Sequence, residues 1–78
     1  MPWLEVFWTD ANRQHIGEHG LTCEEVEHVL RHPIETTVSR TTGRPVCVGL
    51  TPDRRRLLVV YEWLDEVTVY PITAYEME

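Results

Sequence analysis

The sequence predicts an α+β fold in which two helices pack on one curved sheet, in the order strand, helix, helix, four-stranded antiparallel meander. Residues 9–33 carry two helix-capping signals, with a glycine and a proline as stops. From residue 34 onward the hydrophobic period changes to two, in β-rich runs separated by turn signals. A chain of 78 residues suffices for one domain, which we assign to residues 1–78.

The first strand and first helix are predicted from the opening twenty residues. "WLEVFW" is rich in aromatic and β-branched residues, which indicates a strand over residues 3–8. Thr9 or Asp10 then supplies the N-cap of helix 1. The helix is expected to run to His19, with Gly20 as the left-handed residue after its end.

The faces of helix 1 follow from its 100° step per residue. On that wheel His15 and His19 fall between Ala11 and Ile16, the only apolar residues of the helix, together with Asn12. We therefore expect both imidazoles to face the sheet or a groove, with His15 half-buried.

Helix 2 is the better specified of the two helices. Thr22 and Glu25 have the spacing of a capping box, and Pro33 ends the helix because the residue before a proline avoids the helical region. One face of the helix is apolar, which is typical of a helix lying on a sheet. That face consists of Cys23, Val26, Val29 and Leu30.

Four β-rich runs make up the rest of the chain. They read "IETTVSRT", "RPVCVGLT", "RRLLVVYEWL" and "EVTVYPITAY". The segment from residue 57 to 63 is apolar at nearly every position, which predicts a central strand. Pro71 cannot donate a hydrogen bond to a neighbouring strand, so the last strand is expected to be at an edge or bulged there.

The composition of the chain indicates which classes of protein and which cellular compartment to expect. A hydrophobic fraction of 42 % with 26 % charged residues is typical of a folded domain, and a net charge of −6 argues against generic nucleic-acid binding. Two cysteines, Cys23 and Cys47, fit buried thiols of a reducing compartment. No membrane span or signal peptide is recognisable. We expect a cytoplasmic protein without membrane contact.

The stretch "HIGEHG" allows two interpretations. His15, Glu18 and His19 match the H-x-x-E-H pattern of an inverted zinc peptidase helix. A second histidine pair, His28 and His32, lies on the solvent side of helix 2, so the two pairs point to different places. We interpret the stretch as the last turn of helix 1, and we expect no metal and no cofactor.

Several segments in order resemble a known family. They are "WTDANRxHIxEHGLTxEEVExVLxxP", "GRxVxVGxT", "RxLLVVY" and "VYPITAY". Together they resemble the BrnT-like toxins of type II toxin-antitoxin systems, and the resemblance covers nearly the whole chain. It implies a RelE-like fold, metal-independent cleavage of messenger RNA, and inhibition by a cognate antitoxin protein. A homodimer is also considered.

The resemblance also implies site residues. His19 matches the histidine after helix 1 and would act as acid or base, while Arg44 and Arg56 match arginines that would hold the phosphate. Tyr70 and Tyr75 stand where the family has arginines, and one or the other would lie at the scissile bond. A meander places Arg44 and Arg56 at opposite ends of the sheet, roughly 20 Å apart.

A second hypothesis is an inactive BrnT-like binding module that acts only through a protein partner. The acidic charge, the two tyrosines in place of arginines, and the missing basic C-terminal helix favour it. Its sheet face would pair with a basic or amphipathic helix.

Overall fold

The computed structural model describes residues 4–77, and its elements follow the predicted order. They are β1 (Glu5–Val6), α1 (Asp10–Glu18), α2 (Cys23–Arg31), β2 (Glu35–Val38), β3 (Pro45–Leu50), β4 (Arg56–Trp63) and β5 (Thr68–Glu76). The first strand is shorter than the predicted range of residues 3–8, of which Trp3 lies outside the described residues. Over residues 4–77, no helix has the length and hydropathy needed to cross a membrane.

The five strands form one mixed sheet in the order β1-β5-β4-β3-β2. Strands β2 to β5 pair antiparallel, which confirms the meander, and β4 is the central strand as predicted. Strand β1 instead runs parallel to β5, with Glu5 opposite Thr68 and Val6 opposite Val69. Parallel neighbours cannot be joined by a tight hairpin, and here both helices and strands β2 to β4 lie between β1 and β5 along the chain.

Both helices begin at the predicted caps. Thr9 caps α1 in a capping box with Asn12, and Thr22 caps α2 in a capping box with Glu25. Each box satisfies backbone N–H groups that the first turn of a helix leaves without partners. Gly20 has a φ of +75°, which confirms the left-handed residue that ends helix 1.

The prediction that His15 and His19 face the sheet or a groove is wrong. Ala11, His15 and His19 are all exposed, and the residues that α1 buries are Asn12 and Ile16. With a single large apolar side chain, this helix has too little hydrophobic pattern to fix its rotation. The buried amide of Asn12 fixes the rotation instead.

Asn12 ties α1 to two neighbouring segments. Its side-chain amide donates to the carbonyl oxygens of Phe7 at 3.0 Å and Pro71 at 3.1 Å. Its Oδ1 atom accepts the backbone N–H of Thr9 at 2.6 Å. One side chain therefore satisfies three backbone groups where α1, β5 and the end of the first strand meet.

The helices cover one face of the sheet. The pairing register of the strands determines which of their residues lie under the helices. Cys47, Val59 and Ala74 are opposite one another across three strands, and all three are buried. The core also contains Ile16, Leu21, Val26, Val29, Leu30, Leu57, Tyr61 and Val69. α2 approaches the sheet so closely that a Cβ atom at Gly49 would lie 3.1 Å from Val29 Cγ1.

The opposite face carries no helix among the described residues, and we call it the helix-free face. Its centre is apolar because the alternation of β3 and β4 brings four side chains to this side. These are Val46, Val48, Leu58 and Val60, of which Val46 is buried and the others are half-buried.

The predicted irregularity at Pro71 is confirmed as a bulge. Val60 pairs with Thr73 but Tyr61 pairs with Pro71, so Ile72 is an extra residue in β5. An extra residue reverses the alternation of side chains along a strand. As a result Tyr70 and Tyr75, five positions apart, lie on the same side of the sheet, opposite Glu62 and Leu58 respectively.

A network centred on Glu27 of α2 holds the start of the chain in place. The Glu27 carboxylate accepts hydrogen bonds from Trp8 Nε1 at 2.6 Å and from Arg31 at 2.7 Å. Arg31 also donates to the carbonyl oxygen of Leu4 at 3.1 Å. Burial raises the pKa of the Glu27 carboxyl, but these hydrogen bonds and the charge of Arg31 outweigh it and hold the pKa below the ordinary value of 4.5.

We expect Glu27→Gln to lower the free energy of unfolding by about 1–2 kcal/mol at pH 7, because an amide cannot accept both hydrogen bonds as a carboxylate does. The lowered pKa means that this stabilisation is fully present above the ordinary pKa and is lost as the pH falls through the folded-state value. Urea unfolding at pH 7 and pH 3 measures this. The difference from wild type should shrink at pH 3, and Glu18→Gln, an exposed site on α1, should show no comparable loss at pH 7.

Candidate active site

His19 is placed by the end of helix α1. It is the C-cap residue, and its backbone N–H donates to the carbonyl oxygen of Ile16 at 3.0 Å. The imidazole is exposed, and its ring centroid lies 6.4 Å from that of Tyr75 on β5. Strand β1 pairs only with the first two residues of β5, so within the described chain the Tyr75 end of β5 is an outer edge of the sheet. His19 and Tyr75 therefore meet at an open edge.

His15 lies beside His19, one helical turn earlier. The two rings are 5.5 Å apart, because residues four apart share one face of a helix. The prediction that His15 is half-buried is wrong, since its side chain is exposed. This exposure makes His15 available for chemistry, and we add it to the predicted site residues.

Arg56 approaches the same edge from β4. Its backbone carbonyl accepts the N–H of Met77 at 2.8 Å, which places Met77 opposite Arg56 and Tyr75 diagonally across from it. Diagonal neighbours on one face of an antiparallel pair have Cα atoms about 7–8 Å apart, within reach of an arginine side chain. Arg56 is exposed, and no ion pair within residues 4–77 involves it.

The neighbouring Arg55 is not free in this way. Its guanidinium is paired with Glu25 of α2, with Asp53 at 3.1 Å, and with Glu76 at 3.4 Å. The Arg55 guanidinium is therefore neutralised by three carboxylates, and these ion pairs connect the turn between β3 and β4 to α2 and to β5. Of these two adjacent arginines, Arg56 is the one that can meet a phosphate.

Two of the predicted site residues lie elsewhere. Arg44 precedes β3, whereas Arg56 is opposite Leu50 at the other end of that strand. Six residues of extended chain separate these ends by about 20 Å. Tyr70 is half-buried beside the start of α1, where its hydroxyl lies 3.3 Å from Thr9 Oγ1 and its ring 6.3 Å from Phe7. The structure therefore places His19 beside Tyr75, and the register makes Arg56 on β4 a diagonal neighbour of Tyr75, whereas Arg44 and Tyr70 lie elsewhere.

We call the group of His15, His19, Tyr75 and Arg56 the His19 corner. Its functional groups are two imidazoles, which can accept or donate a proton, one phenol, and one guanidinium cation. Such a set can remove a proton from a hydroxyl, hold an anionic phosphate, and protonate a leaving oxygen. Because all four side chains are exposed, an extended polymer could reach them.

Other candidate chemistries are weaker. Burial raises the pKa of the Cys47 thiol to about 12, so this cysteine is not a nucleophile. Among the described residues, no group of three or more His, Cys, Asp or Glu side chains is positioned to hold a metal ion. A separate apolar cavity of about 530 Å³ lies near the other end of the sheet, between the last turn of α2 and the β4 residues Tyr61 and Trp63.

The chain was compared with protein families, with curated proteins and with solved structures, and none of the three comparisons found a match.

Proposed function

We propose that this protein is the toxin-like component of a type II toxin-antitoxin system and cleaves messenger RNA without a metal ion. The observation that carries the proposal is the contact between His19 and Tyr75, at 6.4 Å between ring centroids, with Arg56 on the neighbouring strand and in no ion pair within residues 4–77. The ordered segments that resemble BrnT-like toxins also support it. In that family the histidine after helix 1 is the residue that His19 matches.

The proposed reaction is an internal transfer of phosphate. His19 takes the proton from the 2′-hydroxyl of a ribose, and the resulting oxygen attacks the adjacent phosphorus. The bond from phosphorus to the 5′-oxygen breaks, and that oxygen receives a proton from His15 or Tyr75. Arg56 stabilises the charge that develops on the phosphate oxygens. The products are a 2′,3′-cyclic phosphate and a 5′-hydroxyl, so no water, metal or redox partner is consumed in the step.

Arg44 and Tyr70 would have a different role. Since Arg44 lies about 20 Å from Arg56, it can contact a phosphate further along an RNA strand but not the reacting one. Tyr70 can stack on a base only if its contact with Thr9 is given up. We therefore assign the reacting phosphate to the His19 corner alone.

The proposed function also implies a protein partner and a cellular compartment. A cognate antitoxin protein would inhibit the toxin in the cytoplasm, where messenger RNA is present. Cys23 and Cys47 are both free thiols, as expected of a protein from a reducing compartment.

Expression in bacterial cells tests this proposal. We expect the wild-type chain to arrest growth and to shorten bulk messenger RNA, and the double variant His19→Gln, Arg56→Gln to restore growth. His32→Gln, which changes an exposed histidine on helix 2, is the matched control and should remain toxic. Normal growth with intact messenger RNA on expression of the wild-type chain would contradict the proposal.

A second candidate is the inactive binding module, which one observation favours. The helix-free face has an apolar centre of four aliphatic side chains, and the chain carries a net charge of −6. An amphipathic partner helix with a basic face fits such a surface better than RNA does. If purified protein leaves RNA intact while Val60→Glu abolishes binding of a co-expressed antitoxin, the binding module is the correct assignment.

A further inference from the structure

Two hairpins project from the end of the sheet that is far from the His19 corner, and we call this end the hairpin end. Residues 39–44 join β2 to β3, and residues 64–67 join β4 to β5. Val46 near the start of β3 pairs with Val60 near the end of β4, so both hairpins extend in the same direction. Two strand spacings separate them, which is about 10 Å.

The two hairpins carry opposite charges. The first contains Arg40 and Arg44, both exposed, and neither forms an ion pair with any residue in the described part of the chain. The second and the strand end before it contain the exposed carboxylates of Glu62, Asp65 and Glu66. Hydrogen bonds that Asp65 accepts from backbone N–H groups of its own turn hold the pKa of its carboxyl below the ordinary value.

Large apolar side chains are exposed at the hairpin end. The exposed fractions are 50 % for Trp63, 53 % for Leu64, 42 % for Val67 and 60 % for Val38. Trp63, Leu64 and Val67 lie in or next to the acidic hairpin, and Val38 lies next to the basic hairpin, so each hairpin combines charged and exposed apolar side chains. Apolar patches with polar rims are typical of protein–protein contact surfaces.

The same end also has a concave part. Trp63 forms one wall of the apolar cavity of about 530 Å³, together with Leu30, Tyr61 and Val69. The projecting hairpin that begins with the exposed Leu64 and the cavity beside it give one surface both a convex and a concave part. A surface that is complementary to itself in shape and charge is what a two-fold dimer requires.

We infer that two copies of this chain associate through their hairpin ends about a two-fold axis. In this arrangement the basic hairpin of each copy faces the acidic hairpin of its partner, and the exposed apolar side chains meet between them. The dimer goes beyond the proposed RNA chemistry and does not depend on it, because the His19 corner lies at the opposite end of the sheet.

Sedimentation and light scattering of the purified chain at low and high salt test the dimer. We expect a wild-type dimer whose dissociation constant rises with salt, because charge pairs at the rim are screened. The variants R40E/R44E and E62R/E66R should each dimerise at least about tenfold more weakly, since like charges then face each other. A mixture of the two variants should form heterodimers of near wild-type affinity, because both hairpin pairs again have opposite charges.

The matched control for R40E/R44E is R13E/R54E, which makes the same change in net charge at two exposed arginines outside the hairpin end. We expect its dissociation constant to stay close to that of wild type. A wild-type chain that remains monomeric at low salt would overturn the inference. So would charge-reversed variants that dimerise normally, or a mixture that fails to form heterodimers.

Discussion

Replacement of His19 by glutamine is expected to slow RNA cleavage by about 10²–10⁴-fold, the usual contribution of a positioned acid or base. Glutamine keeps a polar side chain of similar length but cannot take up the 2′-hydroxyl proton. His19 caps α1 through its backbone N–H, which the substitution leaves in place, so the fold should be retained. Single-turnover cleavage of a short labelled RNA measures the effect.

His32→Gln is the control for this rate, because it removes an exposed imidazole from the residue that caps the end of α2. Its cleavage rate should match that of wild type. Tyr75→Phe removes only the phenol hydroxyl and keeps the ring beside His19. It therefore separates proton donation by Tyr75 from stacking of its ring. If His19→Gln cleaves RNA as fast as wild type, the His19 corner is not the reacting site.

Asn12→Leu is expected to destabilise the fold by about 2–4 kcal/mol, the largest effect on stability that we predict. The side chain is 3 % exposed, and the substitution leaves the carbonyl oxygens of Phe7 and Pro71 without its amide donors. Buried acceptors without partners cost more than the hydrogen bonds themselves contribute. A small domain has only about 5–15 kcal/mol of total stability, so this loss is a large fraction of it and the variant should unfold at a clearly lower urea concentration.

Urea unfolding followed by tryptophan fluorescence measures this change. Gln14→Leu, an exposed site on the same helix, is the matched control and should shift the midpoint little. Asn12→Asp keeps an acceptor for the Thr9 N–H but loses both amide donors, so it should also be destabilised at pH 7. An Asn12→Leu protein as stable as wild type would show that this amide does not fix the rotation of α1.

Local signals predicted the elements well because the relevant interactions are local. The capping boxes at Thr9 and Thr22 and the left-handed Gly20 each involve atoms within a few residues of one another. The apolar run of β4 identified the central strand for a similar reason. Strand β1 was more difficult, because its parallel pairing with β5 joins segments about sixty residues apart and only two residues take part.

The rotation of α1 could not be predicted because the decisive contact is not local. Asn12 is held in its buried position by hydrogen bonds to the carbonyl oxygens of Phe7 and Pro71. Pro71 lies 59 residues away along the chain. The helical wheel placed Asn12 on the same side as His15 and His19, between Ala11 and Ile16. It could not show that the buried side centres on Asn12 and Ile16 and leaves Ala11, His15 and His19 exposed.

The candidate site was predicted in part. His19 was identified from the resemblance, and its meeting with Tyr75 required the sheet register. The bulge at Ile72 also matters, since without that extra residue the odd spacing would put Tyr70 and Tyr75 on opposite faces. The separation of Arg44 from Arg56 followed correctly from the meander alone.

The chemistry of the RNA ends tests the proposed function most directly. Purified protein is incubated with a defined RNA in excess EDTA, and the termini of the products are identified by mass spectrometry. Attack by the 2′-hydroxyl at the His19 corner predicts fragments with a 2′,3′-cyclic phosphate and a 5′-hydroxyl, and their near absence with His19→Gln. Intact RNA, cleavage that EDTA abolishes, or fragments with a 5′-phosphate would contradict a metal-independent ribonuclease.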